Sequence, residues 1–290
     1  MRIVYHLGVH CTDEDRLVRC LLKNRGVLAQ QGIAVPSPNR YRRLLRSTLE
    51  DLKGSAASTE TQALVLDQIM DEDEAERLIL SWDSFLSFPP WALQGTLYNV
   101  AGERARGFTQ IFPDIEAEFH LAIRNPATFL PALQQLINVK SPKDILSAVD
   151  PMSLRWSEMV RQLQRHNPGV PITLWCDEET PLIWPEVLQA VSGHAPGTEL
   201  IDTDELLAMI MNDIGLSRMK AYCIEHPPQS IAQRRRIVTA FLEKFARPEK
   251  VEVEVPIPGW TDEYVAELTD AYLADVERIR RMPGVTLIEA

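Results

Sequence analysis

The amino-acid sequence predicts an α/β protein, a three-layer sandwich in which helices cover both faces of a central parallel sheet. Short apolar runs alternate with helical patterns along the first 180 residues, which is typical of parallel strands joined by crossover helices. After Thr180 the pattern becomes mainly helical. We therefore expect an α/β core over residues 1–180 and a helical C-terminal part over residues 181–290, packed on the same domain.

Short apolar runs predict the strands of the core. They occupy residues 2–7, 77–81, 118–124 and 170–176. Each is too short for a buried helix and is bounded by polar residues, glycine or proline, as buried strands are. Near the C-terminus, residues 251–255 alternate like an edge strand, and residues 284–288 form a candidate last strand.

Helical periodicity fills most of the segments between the strands. The first helix is expected over residues 14–31, with an apolar face through Leu17 and Leu21 and with Gly32 after its end. Pro126 starts another helix at a favoured first-turn position. The remaining helices are expected at 41–53, 59–70, 89–112, 154–166, 203–222, 231–245 and 261–281.

The charge of the chain bears on its partners. The net charge of −11 argues against general affinity for nucleic acid or for anionic membranes, because both would repel the protein at long range. No apolar run approaches the roughly 20 residues that cross a bilayer. We therefore expect no nucleic-acid partner and no membrane partner.

The N-terminus and the cysteines bear on the cellular compartment. The apolar stretch of residues 1–5 is too short for a signal peptide. The cysteines at positions 11, 20, 176 and 223 form no CxxC pair, which fits free thiols in a reducing compartment. We therefore expect a cytoplasmic protein.

Polar segments follow three of the predicted strands, at residues 9–15, 81–84 and 124–126. Ligands of parallel α/β sheets bind beyond the carboxyl ends of the strands. The strand, loop and helix at the N-terminus also have the form of a phosphate-binding unit, in which a helix begins directly after a loop. The sequence therefore predicts a ligand site at this edge.

The residues of this edge resemble those of a known family. The run HLGVHCTDED at 6–15, followed by Asn24-Arg25 and by GIAVP at 32–36, resembles the N-terminal end of bacterial sulfotransferases. In that family a strand and a glycine lead into a loop of lysine, threonine, glycine and two threonines. The run FHLAIRNP at 119–126 resembles the second signature of the family, and LSWD at 80–83 is similar to its serine–glutamate motif.

The resemblance implies a P-loop-like sulfotransferase fold and a reaction. That family transfers a sulfuryl group from 3′-phosphoadenosine-5′-phosphosulfate, the donor, to a hydroxyl or an amine. The loop holds the phosphosulfate, and the arginine together with a serine eight positions later holds the 3′-phosphate. Thr12 and Arg124 match donor-binding positions, and Asp83 is a candidate base by position, with helix capping as its other interpretation.

The loop departs from the family pattern at most of its positions. Cys11 replaces the lysine, Asp13 replaces the glycine, and Glu14 and Asp15 replace the two threonines. Outside the loop, Ala132 replaces the serine that follows the arginine. The three acids would repel an anionic donor and give the loop an acidic mouth. The same acids suit the first turn of a helix, where a carboxylate caps backbone N–H groups.

Three functions follow from these residues. The leading hypothesis is a sulfotransferase-like protein without standard donor binding, a binding or scaffold protein whose partner is a protein or a small anionic ligand and which needs no cofactor. The alternative is an active, divergent sulfotransferase that uses the donor on a carbohydrate or a small hydroxylated acceptor. A third is an enzyme of changed chemistry that uses the acidic loop.

Two further patterns have a functional and a structural interpretation. His6, His10, Cys11 and Asp13 are possible metal ligands, but their spacing matches no established zinc pattern, so we expect no metal site. The basic runs at 41–46 and 233–236 could contact an anionic partner. Such runs on predicted helices are usually solvated faces.

Overall fold

A sheet of six parallel strands forms the centre of the computed structural model, which describes residues 1–71, 74–138, 146, 149–251, 257 and 259–290. The strands of the protein in chain order are β1 (Arg2–His6), β2 (Ile33–Ala34), β3 (Arg77–Ser81), β4 (Leu93–Gln94), β5 (Thr96–Leu97), β6 (Glu116–Ile123), β7 (Ile172–Cys176) and β8 (Val285–Ile288). The sheet has the order β2-β3-β1-β6-β7-β8, and β4 and β5 form a separate antiparallel pair. The predicted α/β fold with a central parallel sheet is confirmed.

Helices cover both faces of this sheet. In chain order they are α1 (Arg16–Lys23), α2 (Arg25–Ala29), α3 (Pro38–Leu52), α4 (Thr59–Ile69), α5 (Ala101–Thr109), α6 (Pro126–Asn138), α7 (Trp156–His166), α8 (Thr180–Ser192), α9 (Glu205–Ile210), α10 (Asp213–Glu225), α11 (Ile231–Phe245), α12 (Pro248–Val251) and α13 (Asp262–Arg280). No helix in the described part of the chain is long and apolar enough to span a membrane.

The two faces of β1 belong to different apolar layers. Ile3 and Tyr5 point into the larger cluster, to which α3 to α7 and α13 contribute. Val4 points to the opposite face, where it packs in a cluster with Trp175 and Trp184 and with residues of α1 and α8. Because both faces are buried, the central strands read as continuous apolar runs rather than as alternating ones.

The first predicted helix is divided at Asn24. Its Nδ2 donates to the carbonyl oxygens of Cys20 (2.8 Å) and Ile201 (3.0 Å), and its Oδ1 accepts from the N–H of Ile201 (2.8 Å). The prediction of one continuous helix over residues 14–31 is therefore wrong. The buried asparagine ties the α1–α2 junction to the segment before α9, which lies far away in sequence.

The segment predicted as a helix over residues 89–112 is helical only in part. Pro89 and Pro90 form a short 3₁₀ turn, and Gly95, at φ +74°, turns the chain between β4 and β5. Leu93 and Leu97 face each other across this hairpin and are buried. The glycine and the two prolines disfavour a helix here, and α5 accounts for the helical remainder.

The C-terminal part contributes to the same sheet as well as to the helical layers. The predicted last strand is confirmed as β8, which pairs in parallel with β7. The helix predicted over 203–222 is interrupted, because Met211 bridges Ala246 and Asn212 caps α10 by accepting from the N–H of Gly215 (2.8 Å). The predicted edge strand at 251–255 lies, apart from Val251, outside the described residues.

Candidate functional site

The candidate site lies beyond the carboxyl end of β1. The strand order changes direction at β1, because β2 and β3 lie on one side of it and β6, β7 and β8 lie on the other. Crevices at such positions are the usual ligand sites of parallel α/β sheets. Residues 7–15, called the first loop below, connect β1 to α1 at this point and contact the segments that follow β3 and β6.

Gly8 brings the first loop against the segment that follows β3. Its φ of +57° is unfavourable for residues with a side chain, and a Cβ there would lie 2.8 Å from the Cα of Asp83. Asp83 itself is exposed, and its Oδ1 accepts from the hydroxyl of Ser84 (3.0 Å). No described helix begins directly after Asp83, so the expected helix-capping role is wrong and the residue remains an exposed carboxylate beside the loop.

Asp13 turns back onto the helix rather than outward. Its Oδ1 accepts from the N–H of Leu17 (2.8 Å), and burial raises the pKa of this carboxyl to about 7. Asp13 therefore caps an N–H group of the first turn of α1, as predicted. The prediction that the acids lie within that turn is wrong, because α1 begins at Arg16 and its first turn holds no acid. Thr12 does not share that role, because its hydroxyl is buried and donates to the carbonyl oxygen of Val9 (2.6 Å).

Glu14 and Asp15 both pair with arginines. Arg16 lies 2.6 Å from the Glu14 carboxylate, and Arg42 of α3 forms a two-pronged pair with Asp15, with distances of 3.0 and 2.5 Å. Arg42 also donates to the carbonyl oxygen of Ser81 at the end of β3 (2.9 Å). The acids at the mouth of the loop are therefore compensated by neighbouring cations. The basic run at 41–46 was expected to be a solvated helix face. That expectation is wrong for Arg42, which is half-buried and paired with Asp15.

Arg124, at the end of β6, crosses to the first loop. Its Nη1 donates to the carbonyl oxygen of Cys11 (2.5 Å), and its Nε donates to the hydroxyl of Thr128 (3.0 Å). The Asp177 carboxylate, just after β7, lies 3.9 Å from the same Nε. Burial raises the pKa of Asp177 to about 7 even though Arg124 favours its ionised form. Asp177 was not among the site residues predicted from the sequence.

His10 and Tyr98 form a buried pair beside the loop. Their rings stack with centroids 5.8 Å apart, and the Tyr98 hydroxyl accepts from the His10 N–H (3.1 Å) and lies 2.8 Å from Nδ1. The Tyr98 hydroxyl donates its own proton to Nδ1 of His10. Nδ1 therefore carries no proton, and the imidazole proton belongs on Nε2. Burial lowers the pKa of His10 to about 4, and Nε2 has no acceptor among the described residues.

His6 lies apart from this group, at the end of β1, and its side chain is buried. Its Nδ1 is 2.8 Å from the Ser81 hydroxyl, its ring stacks on Trp175 at 5.9 Å, and burial lowers its pKa to about 3. The four residues considered as metal ligands are therefore not brought to one place. Within the described ranges, no group of three or more histidine, cysteine or acidic side chains could hold a metal ion.

Comparisons with family models, with curated proteins and with solved structures found no match to this chain. The relation to bacterial sulfotransferases therefore remains a proposal. It rests on the residues of the first loop and on the strand end at Arg124.

Proposed function

We propose that this chain is a sulfotransferase-like protein that no longer binds the standard donor and acts as a binding or scaffold protein. The observation that carries the proposal is that every arginine beside the first loop is engaged by the chain itself. Arg16 pairs with Glu14, Arg42 pairs with Asp15, and Arg124 donates to Cys11 and Thr128. None of these cations is free to meet the several negative charges of the donor.

The carboxylates around the loop oppose the donor as well. Asp83 is exposed, and Asp13 and Asp177 add negative charge once the pH exceeds about 7, where their raised pKa values lie. Two like charges about 4 Å apart repel by about 1 kcal/mol in water and by about 4 kcal/mol at the effective dielectric of a protein surface. Each such carboxylate near the donor would therefore weaken its binding.

Cys11 does not replace the lost lysine. The thiol carries no positive charge, and burial raises its pKa to about 11, which keeps it neutral at physiological pH. Its backbone has φ +62°, and its carbonyl oxygen is held by Arg124. Position 11, which holds the lysine in the family, therefore supplies no cation here; its carbonyl oxygen instead attaches the first loop to Arg124.

Calorimetric titration with adenosine 3′,5′-bisphosphate, the product of the donor, tests the proposal. We expect a dissociation constant no tighter than about 1 mM, which corresponds to about −4 kcal/mol. Arg124→Ala serves as the control for any weak signal, because binding that survives this change does not use the family position. Micromolar binding that Arg124→Ala abolishes would overturn the proposal.

One feature favours the alternative, an active sulfotransferase with a divergent loop. The backbone N–H groups of Cys11, Thr12 and Asp13 donate to no acceptor within the described part of the chain. They precede α1, where free N–H groups can bind an anion, and Asp83, which lies beside Gly8 at the start of the same loop, is a candidate base. Transfer of a labelled sulfuryl group to a carbohydrate or hydroxylated acceptor, abolished by Asp83→Asn, would establish this alternative.

A further inference from the structure

A groove of about 470 Å³ runs between α10 and α11 in the C-terminal part. These two helices form an antiparallel hairpin, and the residues that define the groove are Arg218, Ala221 and Tyr222 of α10 and Phe241, Lys244 and Phe245 of α11. The aromatic side chains form a continuous floor, with ring centroids 6.1 Å apart between Tyr222 and Phe241 and 5.9 Å apart between Phe241 and Phe245.

The shape of the groove follows from small residues on both helices. Gly215 lets Phe245 pack directly on the backbone of α10, since a Cβ on this glycine would lie 2.2 Å from the Cβ of Phe245. Further along the hairpin, Ala221 and Ala240 face the groove with only a methyl group each. The helices are therefore in close contact at one end and leave an open trough between them at the other.

Two cations lie over the ring of Phe245, at the end of the groove where the two helices are in close contact. The guanidinium carbon of Arg218 is 5.8 Å from the centroid of Phe245, and the Nζ of Lys244 is 5.5 Å from it. Neither side chain forms an ion pair with a carboxylate in the described part of the chain, although acids outnumber bases in the protein as a whole. Two unpaired cations over one aromatic ring are complementary to a carboxylate that arrives with an apolar neighbour.

Exposed apolar side chains are concentrated in this part of the chain. Six of the twelve exposed large apolar residues of the described chain fall within residues 201–231. Ile214 is 63% exposed and lies one turn before Arg218, so the stripe through residues 214, 218, 221 and 222 follows one face of α10. Exposed apolar side chains that lie beside charged ones are typical of protein interaction sites.

We infer that this groove binds an amphipathic α-helix of a partner protein that carries carboxylates beside its apolar face. The inference rests on the proposed binding function and names the chemistry of the partner. A carboxylate of the partner helix lies between Arg218 and Lys244, and apolar side chains at helical spacing cover Tyr222 and Phe241. Glu225 lines the groove about two helical turns after Arg218 on α10, so a carboxylate of the partner belongs at the end of the groove that holds Arg218 and Lys244. The net charge of −11 disfavours a polyanion such as nucleic acid more strongly than a partner helix that carries few carboxylates.

Fluorescence anisotropy with designed peptides tests this inference on the full chain. The probe is an amphipathic helix of about 18 residues with leucine and phenylalanine on one face and glutamate at its edge. The matched probe has lysine in place of each glutamate. We expect the glutamate peptide to bind at least tenfold more tightly. We also expect the double variant Arg218→Glu, Lys244→Glu to remove or reverse that preference.

Arg236→Glu is the matched control, because Arg236 is an exposed cation of α11 outside the groove. It should leave the peptide preference unchanged, and Tyr222→Ala should weaken both peptides while circular dichroism shows a folded chain. Equal binding of the two peptides, no binding of either, or equal loss in the Arg236→Glu control would each overturn the inference. Displacement of the peptide by a single-stranded oligonucleotide would also overturn it, as would a dimer that dissociates on Arg218→Glu.

Failure of the docking inference and failure of the proposed function are separable. The proposed function fails when the donor product binds at the first loop in a manner that Arg124→Ala abolishes. Arg218→Glu should leave that titration unchanged. The peptide experiment reports only on the α10–α11 groove.

Discussion

Arg124 donates a hydrogen bond to the carbonyl oxygen of Cys11, with 2.5 Å between Nη1 and that oxygen. Arg124 directly follows β6, and Cys11 lies in the first loop, which follows β1; the two strands are neighbours in the sheet. In the family that the sequence resembles, the arginine at this position holds a phosphate of the donor. Here it fastens the first loop, with Thr128 as its second acceptor.

Arg42→Ala should destabilise the protein by about 2 kcal/mol. Arg42 is half-buried, forms a two-pronged pair with Asp15 and donates to the carbonyl oxygen of Ser81. Hydrogen bonds to charged groups contribute about 1.5–3 kcal/mol to stability. Urea unfolding measures the change. The neighbouring Arg43 is exposed, so Arg43→Ala should change stability by less than about 0.5 kcal/mol. Equal effects of the two changes would contradict a specific role for Arg42.

Gly8→Ala should destabilise the protein by about 2–3 kcal/mol. A left-handed conformation costs a residue with a side chain about 1–2 kcal/mol, and the new methyl group would press on the backbone of Asp83. Gly26→Ala is the matched control, because Gly26 lies in α2, where an added methyl group would meet no other atom, and this change should gain up to about 1 kcal/mol. Thermal unfolding of both variants gives the comparison. A tolerated alanine at position 8 would mean that the first loop is free to shift.

Asp13→Asn should stabilise the protein above pH 7 by about 2 kcal/mol. Burial raises the folded-state pKa of Asp13 to about 7, above its unfolded value near 4, so the native state binds more protons between these two pH values. The contribution of Asp13 to stability therefore falls as the pH rises from about 4 to about 7. Asparagine does not titrate and keeps an oxygen for the N–H of Leu17.

Unfolding free energies of wild type and Asp13→Asn at pH 5 and pH 8 measure this effect. The advantage of the variant should grow across that interval. Glu14→Gln is the control, because Glu14 is exposed and its surface ion pair with Arg16 contributes no more than about 1 kcal/mol. A pH-independent difference for Asp13→Asn would show that this carboxyl is not destabilised by burial.

More of the fold than of the candidate site could be predicted from the sequence. The strands β1, β3, β6 and β7 are buried on both faces, and this burial produces the short apolar runs from which they were predicted. The break at Asn24 could not be predicted, because it depends on hydrogen bonds to Ile201. The two-residue strand β2 is too short to leave a pattern of its own.

The partners of the site residues were not predictable in the same way. The family resemblance implied Thr12 and Arg124 as site residues, and the position of Asp83 after a strand made it a candidate base. What each one contacts depends on chain segments that meet only in the folded protein, as Arg124 meets Cys11. The pairing of Arg42 with Asp15 and the burial of Asp177 have the same origin. Spacing along the sequence carries no record of such contacts.

Restoring the family residues should create donor binding on the existing fold. The repaired variant combines Cys11→Lys, Asp13→Gly, Glu14→Thr, Asp15→Thr and Ala132→Ser. It adds one cation and removes three acids, and the removal of Glu14 and Asp15 also frees the arginines that they pair with. Each new charge-assisted hydrogen bond contributes about 1.5–3 kcal/mol, so a total gain of about 3–6 kcal/mol is expected after non-additivity.

Calorimetric titration of the repaired variant with adenosine 3′,5′-bisphosphate measures this gain, which would bring the dissociation constant from about 1 mM into the micromolar range. Loss of the Asp13 cap and of the Asp15–Arg42 pair should cost about 2–3 kcal/mol of stability, which a domain of this size tolerates. Arg124→Ala in the repaired background should abolish the gain, because the 3′-phosphate would lose its arginine. A repaired chain that is folded by circular dichroism but binds no nucleotide would mean that Arg124 stays bound to the carbonyl oxygen at position 11. The resemblance would then describe the fold without the donor site.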